Sequence, residues 1–204
     1  MKKAIPAIAL FCITMLFLNS CGTGKNSFAV CRMVPPDAKV EPANCFVQLN
    51  DGTVQYYTTL KLVTGVLTTP HLLADNRIVI NAKDIKAYQD GKRYAVSSNS
   101  LKTTKNSYVA VEALPGFAVR LAQGKLNVYQ RKFYNGSNAV DEYFLQTGND
   151  GEIIAYSTKA MKELLKDNPK ALDYYNSKVK VSPKSKKLIA TAAIYNTGEL
   201  LSKN

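Results

Sequence analysis

Cleaving a glycosidic bond takes two carboxyl groups, one on each side of the scissile oxygen. The acids that invite this reading are Glu112 and the adjacent pair Asp141-Glu142. Neighbouring residues on a strand point to opposite faces, so Asp141 and Glu142 cannot serve one cleft together, and 15 acidic residues offer many other pairings. His71 is the only histidine, which leaves no His-paired metal centre and one imidazole for any nucleophile-base pair. Its neighbours Pro70 and Leu72 carry no catalytic signature, so a loop or core role is expected. Gly-x-Ser-x-Gly, His-Glu-x-x-His, a phosphate-cradling glycine loop and a calcium-loop spacing are all missing from the chain. The expectation is therefore no catalytic residue, no metal and no cofactor.

Two residue classes suggest binding instead. The chain has 12 Tyr and no Trp, and Tyr56, Tyr57, Tyr129 and Tyr134 are candidates for a sugar-stacking face, with strand packing as the competing role. Lys159 to Lys187 holds nine lysines against Glu163, Asp167 and Asp173, a net of +6. Lys178, Lys180, Lys184, Lys186 and Lys187 crowd around Pro183, where they could meet anionic headgroups or glycolipid phosphates; solvation of a helix face is the plainer role.

Met1-Lys2-Lys3 precedes an apolar run from Ala4 to Leu18 that is broken only by Pro6 and Thr14. This is a leader layout, too short for a spanning helix of about 20 residues. It ends in Leu18-Asn19-Ser20-Cys21, which resembles the lipobox of bacterial lipoprotein precursors cut by the type II signal peptidase, with Asn19 standing where a smaller residue is usual. The resemblance implies a signal peptide over residues 1–20, cleavage before Cys21, and a diacylglyceryl thioether plus an amide-linked chain such as palmitate on Cys21. Several acyl chains anchor stably, at about 0.8 kcal/mol per buried methylene. Gly22, rather than Asp, resembles lipoproteins passed on to the outer membrane. The formal charge of +12 falls to +10 once Lys2 and Lys3 leave, 25 basic against 15 acidic residues. Such a surface favours anionic partners, but an exported chain makes nucleic acid an improbable one.

With Cys12 in the leader and Cys21 lipidated, Cys31 and Cys45 remain as an even pair in an oxidising compartment. One disulfide between them would stabilise a Pro-rich loop by about 3 kcal/mol; two independent thiols are the alternative.

The elements that must position these groups are β-rich. From Phe46 to Tyr156 apolar residues recur with period two, interrupted by turn signals such as Asn50-Asp51-Gly52, Asp90-Gly91 and Asn135-Gly136. About seven to nine strands are expected, enough for an antiparallel sandwich or small barrel. Val54 to Leu62 reads as one strand, while the stretch around Pro70 and His71 reads as looser chain. After Ser157 the period becomes helical, with start signals at Asn168-Pro169 and Ser182-Pro183 and a stop at Gly198. Two or three short helices should follow, completing an α+β fold.

Glu142 to Gly148, running into the Lys-rich helices, is similar to uncharacterised envelope proteins of Bacteroidota. That likeness supports an envelope location and implies no activity. The expected organisation is a signal peptide over 1–20, a lipidated tether over 21–45, a β-rich domain over 46–157 and a Lys-rich helical tail over 158–204 packed on it. The expected role is a non-catalytic binding or structural domain held in the cell envelope, at the outer membrane, with a protein or glycan partner. The alternatives are a polysaccharide hydrolase with paired carboxylates, and an anionic-lipid contact through the tail.

The anchor reading makes a direct prediction. The mature chain should begin at Cys21 with added hydrocarbon mass, and Cys21→Ser should keep its leader and lose the acyl mass. Intact-mass spectra of the membrane fraction check both, and an unacylated product starting elsewhere would refute the anchor.

Overall fold

The alternating pattern folds as sheet and the 3.6-residue pattern as helix. The computed structural model describes residues 45–65, 68–102, 111–135, 138–177 and 183–198. In chain order the strands are β1 (Cys45–Leu49), β2 (Val54–Tyr57), β3 (Leu60–Gly65), β4 (Thr68–Ala74), β5 (Ile78–Asn81), β6 (Ile85–Asp90), β7 (Tyr94–Ser97), β8 (Leu101–Lys102), β9 (Val111–Glu112), β10 (Phe117–Ala122), β11 (Leu126–Asn135), β12 (Asn138–Thr147) and β13 (Ile153–Ala155). They are followed by α1 (Thr158–Leu164), α2 (Pro169–Asn176) and α3 (Lys184–Thr197).

The larger sheet runs β2-β1-β6-β7-β10-β11-β12-β13-β8, with β9 paired to β11, and curls into a half-barrel. β3, β4 and β5 form a separate three-stranded sheet. The β-rich α+β class and the three C-terminal helices follow the sequence pattern. One departure is the β13–β8 pair, which is parallel.

Two segments differ from the sequence reading for local reasons. The backbone N–H groups of Thr58 and Thr59 donate to Asp75 Oδ1 at 2.9 and 3.0 Å. This breaks the stretch read as one strand into β2 and β3. The segment around Pro70 is strand β4, the central one of its sheet. Pro70 cannot donate to a ladder. It sits where the β3–β4 register shifts between Val63 and Gly65, and just before β4–β5 pairing begins at His71 and Asn81.

Each face of the large sheet has a defined role. One face is covered twice. Leu72 of the small sheet packs with Val47, Ile85, Tyr88, Ala95 and Phe117, while Tyr88 and Phe117 meet edge to face at 5.0 Å. Further along, Met161, Leu165, Tyr175, Leu188 and Ala192 of the helical layer pack on Leu126, Val128, Tyr143 and Leu145. The opposite face has a floor of Ala87, Val96, Ala118, Tyr129, Phe144 and Ile153, and no helix covers it among the described residues.

α1 and α2 begin at the signals seen in sequence, whereas α3 begins at Lys184 with Pro183, expected as its first helical residue, at the N-cap and without a side-chain cap. Ser157 Oγ accepts from Ala160 N at 3.0 Å, and Asn168 Oδ1 from Ala171 N at 3.1 Å with Pro169 beginning the helix. Gly198 closes α3 in the left-handed region at φ 80°. Near the C-terminal end of α3, Asn196 clamps the β10–β11 turn. Its amide donates to the carbonyls of Gln123 and Leu126 at 3.1 and 3.0 Å, and its Oδ1 accepts from Leu126 N at 2.8 Å.

A Cβ on Gly124 would lie 2.4 Å from Asn196 Cγ, and Gly124 has φ +151°. Gly124→Ala should therefore break the clamp and cost about 2 kcal/mol, a melting decrease of about 4–8 °C. Asn196→Ala should cost a similar amount, and the double variant less than the sum, because both remove the same bonds. Additive losses in thermal denaturation would show that the clamp is not shared.

Candidate ligand-binding cleft

Curling leaves the uncovered face concave. Small side chains deepen it, since Ala87 and Val96 line a cleft of about 570 Å³. Across it runs one cross-strand row built by register alone. Tyr56 on β2 pairs with Phe46 on β1, Phe46 with Gln89 on β6, and Gln89 with Tyr94 on β7. The row resumes with Arg120 on β10, which pairs with Tyr129 on β11, and Tyr129 with Phe144 on β12.

The rings in this row interact. Phe46 has its ring centroid 6.2 Å from that of Tyr56 and 6.2 Å from that of Tyr94. A strand separates Phe46 from Tyr94, so their approach reports the inward curl. The Arg120 guanidinium carbon lies 3.8 Å from the Tyr94 ring centroid, and the same group donates to Gln123 Oε1 at 2.8 Å. Stacking and a bidentate-capable fork hold Arg120 in place while leaving donors for a ligand. Tyr56 is 67% exposed at one end of the row, and Tyr129 is 2% exposed at the other.

The buried end is fixed by amides. Tyr129 donates its hydroxyl to Gln146 Oε1 at 2.6 Å, and Gln146 Nε2 donates to the carbonyls of Asn149 and Gly151 at 3.0 and 2.8 Å. Asn127 Nδ2 donates to Gly148 O at 2.6 Å and its Oδ1 accepts from Gly124 N at 3.1 Å. These buried amides hold the turn that places Asn149 and Asp150 on the cleft rim. Asp150 is the one carboxylate among the described residues lining the cleft.

The nominated acids lie elsewhere. Glu112 ion-pairs with Arg131 and accepts from Gly116 N at 2.6 Å through its other oxygen. Glu142 lies 3.8 Å from the same guanidinium. Asp141 lies 3.9 Å from Lys132 Nζ and accepts from the Tyr143 hydroxyl at 3.2 Å. His71 is a partly exposed residue of β4 whose Nδ1 is 2.9 Å from Thr69 O. Among the described residues no cluster of His, Cys, Asp or Glu has the makings of a metal site, and no helix is long and apolar enough to cross a membrane.

Of the four tyrosines singled out, Tyr56 and Tyr129 line the cleft. Tyr57 turns to the other face, packing near Val47 and donating to Gln55 Oε1 at 2.6 Å. Tyr134 is 47% exposed away from the cleft. Phe46, Gln89, Tyr94 and Arg120 escaped the sequence reading, because only strand register brings them into line. Lys184 and Lys187 meet at a second pocket beside Lys162, which Lys186 does not line. Lys178, Lys180, Cys21 and Cys31 lie outside the described residues. Cys45 is buried and has no disulfide partner among the described residues, and burial pushes its thiol pKa up.

No family model, curated protein or solved structure matches this chain.

Burial pushes the phenols of Tyr88 and Tyr129 up to about 12 from the ordinary 10. Between those values the unfolded chain loses these protons while the folded chain keeps them, so stability falls as pH rises. The slope is at most about 1.4 kcal/mol per pH unit for each. Denaturant midpoints should be flat across neutral pH and drop above pH 10, with tyrosinate absorbance appearing as the chain unfolds. A flat midpoint to pH 12 would show that these phenols ionise in the folded state.

Proposed function

We propose that this protein is a lipid-anchored component of the bacterial cell envelope whose concave sheet face binds a neutral glycan without cleaving it. The carrying observation is the row Tyr56, Phe46, Gln89, Tyr94, Arg120 and Tyr129 across the cleft. Strands lie about 4.8 Å apart, so the row offers successive platforms for a chain of rings. The C–H face of a sugar ring suits the electron-rich face of an aromatic side chain. Its hydroxyls suit the paired donors and acceptors of Gln48, Gln89, Gln123 and Asn149 on the cleft walls.

The chemistry of the cleft supports binding over hydrolysis. Paired-acid cleavage needs two carboxyl groups facing one bond, and among the described residues the cleft presents Asp150 alone. Glu112 and Glu142 are both drawn to Arg131. Anchoring through Cys21 rests on the lipobox resemblance.

Titration with a panel of neutral oligosaccharides, followed by tyrosine fluorescence, tests the reading. One class should saturate the signal and be recovered intact. Tyr94→Ala should weaken it by about 2 kcal/mol, roughly thirtyfold in Kd, and Tyr134→Ala should leave it unchanged. Release of shortened sugars would favour the hydrolase alternative, and no saturation by any oligosaccharide would remove the glycan.

A further inference from the structure

The helical layer carries a second concavity of different character. Tyr156 and three helices enclose about 360 Å³, with Lys162 from α1, Lys184 and Lys187 from α3, and Tyr175 and Asn176 from α2 on its walls. Among the described residues no carboxylate lines it, and none of the three lysines forms an ion pair.

Two of the lysines are held rather than left to wander. Lys184 Nζ lies 4.1 Å from the Tyr156 ring centroid and 5.8 Å from that of Tyr143. Lys187 Nζ donates to Ser177 O at 2.9 Å, pinning the end of α2, and lies 5.8 Å from the Tyr175 ring centroid. An ammonium has three donors, so the bond to Ser177 leaves Lys187 two.

The floor is also a donor. The hydroxyls of Tyr156 and Tyr175 are 2.6 Å apart. Two phenols that share one hydrogen bond use one proton and keep the other for an outside acceptor. Tyr175 keeps its proton at neutral pH, because burial and the neighbouring phenol push its pKa up to about 12.

We propose that this pocket binds a phosphomonoester group, with Lys162, Lys184 and Lys187 as its cationic ligands. Three converging ammoniums and a phenol proton match a dianion with three acceptor oxygens, and lysine serves phosphate as a point charge. A soluble phosphate and a lipid headgroup both carry this group, and the pocket recognises what they share. The site lies in the helical layer and is independent of the concave cleft.

Calorimetric titration of the full chain in neutral detergent, with inorganic phosphate in one arm and dihexanoyl phosphatidate in the other, tests this. Saturable binding is expected in at least one arm. Binding of both probes means that the phosphate group suffices, and binding of phosphatidate alone assigns the headgroup. Lys162→Gln with Lys184→Gln should weaken binding about tenfold or more. Lys186→Gln, outside the pocket, should leave it unchanged, and Lys162→Arg with Lys184→Arg should retain most of it. Circular dichroism shows that each variant is folded. The proposal is overturned if neither probe saturates, or if Lys186→Gln weakens binding as much as the double Gln variant.

Discussion

The β11–β12 hairpin is the constraint on which the rest of the molecule depends. Its ladder runs without interruption from Leu126–Thr147 to Asn135–Asn138. One side of it presents Leu126, Val128, Tyr143 and Leu145 to the helices, and the other presents Tyr129 and Phe144 to the concave face. A slip of one residue would exchange the two sets. Val128 and Leu145 are fully buried, and each would forfeit about 1.5–3 kcal/mol of burial on such a slip. One pairing therefore determines both the helical core and the inner end of the cleft.

The concavity is a consequence of what covers the sheet. The small sheet and the three helices occupy one face with large side chains such as Phe117, Leu72, Met161 and Leu188. The other face carries Ala87, Val96 and Ala118 at its middle. Bulk on one side and small residues on the other allow the strands to curl toward the small side, bringing Phe46 and Tyr94 together over an intervening strand. The row of rings is thus produced by core packing on the reverse face as much as by its own residues.

Local signals were the legible part of the sequence. Ser157, Asn168-Pro169 and Gly198 marked helix ends because capping is decided by a few consecutive residues, and Asp90-Gly91 marked the β6–β7 hairpin for the same reason. Pro70 argued against a strand because the compensating register shift in β3 is not visible locally. Asp75 and Asn76, both with positive φ at 48° and 57°, lie with Arg77 in the three-residue turn between β4 and β5, and the Asp75 side chain also ends β2, a coupling over 17 positions. The cleft was legible only in fragments. Tyr56 and Tyr129 could be nominated as aromatics, but Phe46, Gln89, Tyr94 and Arg120 become a row only through pairing between distant strands. Likewise, crowding around Pro183 singled out Lys184 and Lys187, whereas Lys162 was counted in the basic stretch but not nominated, because α1 brings it to them across 22 residues of chain.

The distribution of charge separates the two concavities physically. Lys86, Arg120 and Asp150 are the charged ones among the described residues lining the cleft, a net of only +1, so any affinity there would come mainly from contact area and hydrogen bonding. The pocket among the helices has three lysines and, among the described residues, no lining acid, so its attraction for an anion would be Coulombic and screened over about 8 Å at physiological salt. The Asn196 clamp joins the helical layer to the turn bearing Gln123, a residue of the cleft wall. The helices therefore act as more than a cover. They bury the reverse face of the hairpin, brace the rim of the cleft, and carry Lys162, Lys184 and Lys187 in a pocket of their own.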